Sequence, residues 1–160
     1  MKYNIFIKYF IIFLILSFLV CGCSKKESKE EVSYNNAIKE LNSYSKNNLD
    51  SYPFDILVNV EKISTDNLLY CLIIDNVKES INNMSAIIIH DKLTKDVFPS
   101  IGYFDEKINL LPSEGKKGLS LCGYINYSGT IDDFRGKFTA FIKYKDNKNY
   151  NRRFYYIKQY

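Results

Sequence analysis

Phe138-Thr139-Ala140-Phe141-Ile142-Lys143-Tyr144-Lys145, then Asp146-Asn147-Lys148-Asn149, then Arg153-Phe154-Tyr155-Tyr156-Ile157-Lys158, is the stretch whose reading decides the fold. Successive side chains of an extended strand point to opposite faces. Phe138, Ala140, Ile142 and Tyr144 therefore share one face, and Thr139, Lys143 and Lys145 the other. The Asp-Asn-Lys-Asn run supplies turn residues, so the segment predicts a closing β-hairpin.

The same period recurs toward the N-terminus. Phe54, Ile56, Val58 and Val60 alternate with Asp55, Asn59 and Glu61, Leu57 being the exception, and Ser64-Thr65-Asp66-Asn67 is a turn. Leu68 to Ile74 is apolar on both faces, which predicts a central strand covered on both sides. Met84 to His90 predicts a third strand. Val97-Phe98, ended by Pro99, and Lys107 to Leu111, stopped by Pro112, predict two short ones. Ser113-Glu114-Gly115 reads as a turn, and Leu119, Leu121 and Ile125 share a face in the next strand. Seven or eight short strands over residues 52–160, with turn signals at regular spacing, predict an all-β domain built as an antiparallel sandwich.

Parts of this pattern resemble the immunoglobulin-like domains of Gram-positive lipoproteins. The residues that carry the resemblance are Leu110-Leu111-Pro112-Ser113-Glu114-Gly115, Gly118-Leu119-Ser120-Leu121, and the final pair Phe138 to Tyr144 and Phe154 to Ile157. It covers about two thirds of the chain. The chain has no tryptophan, so the Cys…Trp…Cys framework of antibody domains is absent.

Upstream lies a different kind of segment. Met1 to Lys8 carries two lysines and no acid, and Tyr9 to Val20 is an apolar run of the length of a signal h-region. Val20-Cys21-Gly22-Cys23 follows and resembles the lipobox of bacterial lipoproteins, with small Gly22 before Cys23 and with Cys21 at a position where a small residue is commoner. The resemblance implies that residues 1–22 are a lipoprotein signal peptide and that Cys23 carries a diacylglyceryl group. It also implies a chain anchored on the extracytoplasmic face of the cell membrane. The alternatives are an ordinary secretory signal or an uncleaved anchor.

Residues 23–51 then read as the lipidated cysteine and a polar tether. Tyr34, Ile38, Leu41 and Tyr44 recur at helical spacing, so a short helix over residues 34–44 is the alternative to coil. On this reading the tether is dispensable for folding. Loss of Lys2 and Lys8 with the signal takes Lys+Arg from 22 to 20 against 18 Asp+Glu, a net charge of +2, which gives no argument for nucleic acid as a partner.

The chemistry-bearing residues are sparse. The single histidine, His90, is next to Asp91, but adjacent strand residues diverge. Gly118-Leu119-Ser120-Leu121-Cys122 lacks the last glycine and the strand–turn–helix setting of a nucleophile elbow. Ser43-Tyr44-Ser45-Lys46 and Ser113-Glu114-Gly115-Lys116 match Ser-x-x-Lys at the level of chance. Asp132-Asp133 and Asp146 with Asn147 and Asn149 lack calcium-loop spacing. The residues imply no catalytic set, no metal site and no cofactor. Tyr150, Arg152, Arg153, Phe154, Tyr155, Tyr156 and Tyr160 read as core and cross-strand aromatics with arginines guarding an edge. The other reading is an exposed strand that adds a partner or stacks on sugars.

Cys71 and Cys122 both fall in strands. If the strands follow immunoglobulin order they lie on neighbours in one sheet, so a disulfide is open to them. Two buried thiols acting as small apolar residues is the other state, and the expectation leans to it. The functional expectation is a membrane-held binding or interaction module, with an envelope protein or glycan as partner. The alternatives are a structural subunit of an envelope complex, or an envelope enzyme or inhibitor.

Overall fold

The computed structural model describes residues 27–44, 52–112 and 118–160. The apolar run before Val20, the Cys23 site and the turn at Ser113 lie outside them. Eight strands follow one helix: α1 (Lys29–Asn42), β1 (Asp55–Lys62), β2 (Asn67–Asp75), β3 (Ile81–His90), β4 (Ser100–Ile101), β5 (Ile108–Leu110), β6 (Leu119–Asn126), β7 (Lys137–Lys145) and β8 (Asn151–Gln159). All pairings are antiparallel. One sheet has the order β1-β2-β6, and the other β4-β3-β7-β8 with β5 also on β3. This is the all-β sandwich that the alternating pattern predicts.

Between the sheets lie Val58, Val60, Leu68, Tyr70, Leu72, Ile74, Leu121 and Ile125 from the smaller one. Met84, Ala86, Ile88, Phe138, Ala140, Ile142 and Phe154 come from the larger. These are the period-2 positions, and each large aliphatic or aromatic side chain removed from water contributes about 1.5–3 kcal/mol. Gly123 stands where β6 turns an inner position toward its register partner Tyr70. A Cβ there would sit 2.6 Å from the Tyr70 hydroxyl oxygen, so the glycine makes room for that ring.

Two strand readings change. The short fourth strand forms after Pro99, at Ser100–Ile101, and not at Val97-Phe98. The strand covered on both faces is β3, continuously buried from Met84 to His90, and not β2. In β2 only alternate residues are buried. Leu69, Cys71 and Ile73 lie half-buried on the outer face of the smaller sheet, because nothing among the described residues packs there. An apolar run alone does not say how many of its faces are covered.

The layer over β3 is the helix, and this corrects the tether reading. α1 starts earlier than the spacing of its apolar residues suggests. Ser28 accepts from the Glu31 N–H at 3.1 Å while the Glu31 carboxylate accepts from the Ser28 N–H at 2.8 Å, a reciprocal capping box. Tyr34, Ala37 and Leu41 are buried against Ile87, Ile89, Tyr103, Phe141 and Tyr155 on the outer face of the larger sheet. The Tyr34 hydroxyl accepts from the Phe98 N–H at 2.7 Å. Tyr44 stacks on Tyr155 with centroids 3.4 Å apart, and Tyr155 on Phe141 at 4.6 Å. Lys137 Nζ donates to the Tyr44 carbonyl at 2.9 Å, fixing the end of the segment. Residues 29–44 are therefore part of the folded unit.

Leu41 is 1 % exposed. Leu41→Ala is expected to lower the unfolding free energy by about 2–4 kcal/mol in a urea titration, the range for a buried leucine whose site collapses only in part. A loss under about 0.5 kcal/mol, the range of surface substitutions, would show that the helix contributes nothing to the folded state.

Candidate functional site

β3, β7 and β8 each carry residues of the helix interface at one end of their outer face and polar residues at the other. On β7, Phe141 lies under the helix, and two and four residues on come Lys143 and Lys145. On β8 the same step leads from Tyr155 to Arg153 and Asn151, and on β3 from Ile87 to Ser85. Ser85, Lys143 and Arg153 are register partners, so they form one row across three strands. A register shift between Asn82 and Ser85 and a φ of +51° at Asn83 kink β3 beside this row. Asn83 is held there as its N–H donates to Asn109 Oδ1 at 2.8 Å. Lys107 enters from the loop before β5. At Gly102, with φ +74°, an added Cβ would lie 2.8 Å from the Ser85 Cβ, so only glycine lets this loop cross so near the row.

These residues enclose a recess of about 250 Å³ lined by Asn83, Ser85, Lys107, Lys143, Lys145 and Arg153, with Arg152 at its rim. Arg152 is already matched, with its guanidinium 2.8 Å from Asp146 Oδ2. No ion pair among the described residues engages Lys107, Lys143 or Lys145. Burial pushes the Lys143 ammonium below its ordinary pKa. Glu40 of α1 pulls it back up, and Arg153 and Lys107 repel it further. Lys143 Nζ also lies 4.5 Å from the centroid of the Phe141 ring. Ser85 is 5 % exposed. The lining gathers donors and positive charges, with Glu40 of α1 acting on Lys143 from beside it.

The sequence candidates fall elsewhere. Cys71 and Cys122 are register partners on neighbouring β2 and β6, with Cα atoms 4.1 Å apart, and they form a disulfide. The lean toward free, buried thiols is therefore corrected twice, since the pair is bonded and sits on the outer face of the smaller sheet. Leu69 and Ile73 share this half-covered face with Cys71. Ser120 is exposed on the same face, 3.3 Å from Cys122 Sγ and without a base beside it. Alkylation of the unreduced protein is expected to yield a linked Cys71–Cys122 peptide pair in mass spectrometry. Reduction should lower the unfolding free energy by roughly 4 kcal/mol for a loop of 51 residues in the chain-entropy model. Two alkylated cysteines without reduction would refute the pairing.

His90 lies on the inner face, 7 % exposed, edge-on to Tyr70 at 5.2 Å and Phe98 at 5.1 Å. Its Nδ1 accepts from the Lys92 N–H at 3.2 Å, which leaves the proton on Nε2. It is a packed histidine, and among the described residues no carboxylate is hydrogen-bonded to its ring. The Asp146 carboxylate serves the hairpin turn: it accepts from the Lys148 and Tyr150 N–H groups at 2.9 Å and from Arg152. Asp133 accepts from the Thr130 hydroxyl at 2.6 Å. Ser43 closes the helix, whereas Lys46 and the Ser113–Lys116 match lie outside the described residues. No three His, Cys, Asp or Glu side chains gather to hold a metal among the described residues. No described helix is long and apolar enough to cross a membrane. No family model, no curated protein and no solved structure matches this chain.

Of the recess, Arg152 and Arg153 stood out in sequence, as edge protection. The lysines read as the solvent side of an alternation. Burial sets the pH behaviour of His90, pushing its pKa below the ordinary 6.5, while Asp91 and Asp96 pull the other way. A base whose folded pKa is depressed lends stability that is present above the unfolded pKa and lost as pH falls through the folded one. As the only histidine, His90 gives an unambiguous imidazole signal in NMR. Its midpoint is expected below about 6.5, with stability falling from pH 7 toward pH 5. A midpoint at or above 6.5 would contradict burial in the neutral form.

Proposed function

We propose that this chain is a lipoprotein held on the extracytoplasmic face of the cell membrane through lipidated Cys23, and that its immunoglobulin-like sandwich is a binding module and not an enzyme. The observation that carries the anchor is Val20-Cys21-Gly22-Cys23 directly after the apolar run. A diacylglyceryl group supplies two chains, enough for stable attachment at about 0.8 kcal/mol per buried CH₂. The strand order supports the immunoglobulin-like reading. β1-β2-β6 and β3-β7-β8 correspond to the A-B-E and C-F-G sets of such domains, with β4 and β5 on the far edge of β3. The recess supports binding, because it gathers charge with no histidine, cysteine or carboxylate in its lining.

The helix changes the expected geometry of attachment. Only residues 24–28 separate Cys23 from α1, a span of at most about 18 Å at full extension. The domain therefore stays close to the headgroups, whereas a coiled tether to residue 51 would have lifted it away. A second reading, a structural subunit of an envelope complex, is favoured by the outer face of the smaller sheet. There Leu57 is 50 % and Tyr124 60 % exposed beside Leu69 and Ile73.

Cys23→Ser is expected to abolish palmitate labelling and to release or misprocess the protein, while Cys21→Ser leaves both nearly unchanged. Labelling that persists in Cys23→Ser sinks the anchor.

A further inference from the structure

We propose that the free edge of β6 is a docking site for an extended segment of a partner protein. The segment adds to the smaller sheet as a fourth strand and seats one aliphatic side chain in the recess between β6 and the loop before β4. The proposal rests on the reading of the sandwich as a binding module, but it does not depend on the anchor.

Three observations carry it. The first is where the backbone of β6 points. Cys71 and Cys122 stand directly opposite each other with Cα atoms 4.1 Å apart. That is the spacing of a non-hydrogen-bonded antiparallel pair, about 4.5 Å against about 5.5 Å for a bonded one. Such residues turn their N–H and C=O groups away from each other, so Ser120, Cys122 and Tyr124 direct theirs to the side of β6 away from β2. The same phase runs through β2 to β1 and points the Val58 carbonyl outward, where the Tyr160 hydroxyl meets it. Among the described residues nothing bonds the outward backbone groups of Ser120, Cys122 or Tyr124. The second is what the strand lacks. β1 and β8 carry charged side chains, β4 has two residues and β5 three. β6 runs for eight residues, Leu119 to Asn126, without a charge or a proline. Charge, proline, shortness or a cover guards most sheet edges, and an edge left open is the template for strand addition. The third is a recess of about 220 Å³ beside that edge, lined by Tyr70, His90, Phe98, Pro99, Gly123 and Tyr124.

The recess defines the occupant. Successive side chains of an added strand point to opposite faces, so every second one turns inward beside Gly123. The volume lies below the 300–1,000 Å³ usual for drug-sized ligands and takes a single side chain. Its walls are mostly rings and Pro99, which suits an aliphatic one. The lining holds one carboxylate, Asp96, and no lysine or arginine, so a basic flank suits the segment better than an acidic one. The Cys71–Cys122 bridge ties β6 to β2, so the template is ordered before the segment arrives.

The test uses the full-length chain in detergent and the peptide acetyl-Lys-Thr-Val-Thr-Val-Thr-Lys-amide, followed by amide NMR and hydrogen exchange. In the free chain the Ser120, Cys122 and Tyr124 amides are expected to exchange fast, and those of Leu121 and Gly123 slowly. The peptide should bind saturably and slow the three outward amides, with shifts that reach Tyr70 and His90. A copy N-methylated at its interior nitrogens should not bind, and a copy with glutamate for both lysines should bind more weakly. Asp96→Lys, on an exposed loop residue, should reverse that preference. Ser120→Pro removes one outward N–H at a position where an edge strand tolerates proline, and should weaken binding about threefold to tenfold, the worth of one hydrogen bond. Leu57→Ser, on the outer face of β1, should leave binding unchanged. Outward amides already protected in the free chain, or protected only as protein concentration rises, assign the edge to this chain itself or to a second copy and overturn the proposal. So does absence of saturable binding, or equal weakening by Leu57→Ser and Ser120→Pro. Palmitate labelling of the same preparation separates the two proposals: labelling without peptide binding removes this site alone, and peptide binding without labelling removes the anchor alone.

Discussion

The structure depends on the two-sided demand placed on β7. Its even-numbered residues Phe138, Ala140, Ile142 and Tyr144 close the space between the sheets. On the opposite face Phe141 needs a cover of its own. A two-layer sandwich would leave that ring, with Ile87, Ile89 and Tyr155, in water. Burying apolar area yields roughly 25 cal/mol per Å², so an exposed face of this kind favours a third layer. α1 supplies it, and the result is a helix–sheet–sheet arrangement.

The width of the helix then decides what the rest of the face can be. Its buried residues span Tyr34 to Leu41 and reach as far as Phe141 and Tyr155. Beyond that line the strands continue past the cover, and their outward positions hold Lys143, Arg153 and Ser85. Lys143 occupies the margin, with its ammonium over the Phe141 ring and its stem partly out of water. Burial near the helix and crowding by like charges act on the same residue, so the margin of the third layer and the charged recess are one feature.

The smaller sheet follows a different logic. Only its inner face is covered, and its outer face is closed by covalent means. The Cys71–Cys122 bridge joins the central strand β2 to β6 across the half-exposed side. A bridge there constrains the unfolded chain without filling core volume. Its edge strand β1 is held by a side chain from the far end of the sequence, since the Tyr160 hydroxyl donates to the Val58 carbonyl at 2.6 Å. The edge strand β8 of the larger sheet is met in the same way, by the Tyr52 hydroxyl donating to the Tyr155 carbonyl at 2.8 Å.

Period-2 alternation was enough to determine the strands of Phe54–Glu61, Leu119–Ile125 and the closing hairpin, since a half-buried strand must show its inner face as every second residue. The hairpin turn was legible too, because Asp146 caps it with its own side chain. The helix was half legible: Tyr34 and Leu41 gave its period, but its start at the Ser28–Glu31 box lay within a run that composition made look like tether. Tertiary structure alone decided the rest. Leu68–Ile74 and Met84–His90 are equally apolar, and only the position of α1 determines which is covered on both sides. Cys71 and Cys122 are 51 residues apart, and only the pairing of β2 with β6 brings them into register. Ser85, Lys107, Lys143 and Arg153 come from separate segments, and each reads alone as an ordinary surface residue. Their meeting is a property of register, which arises from pairing between distant strands and leaves no local trace in the chain.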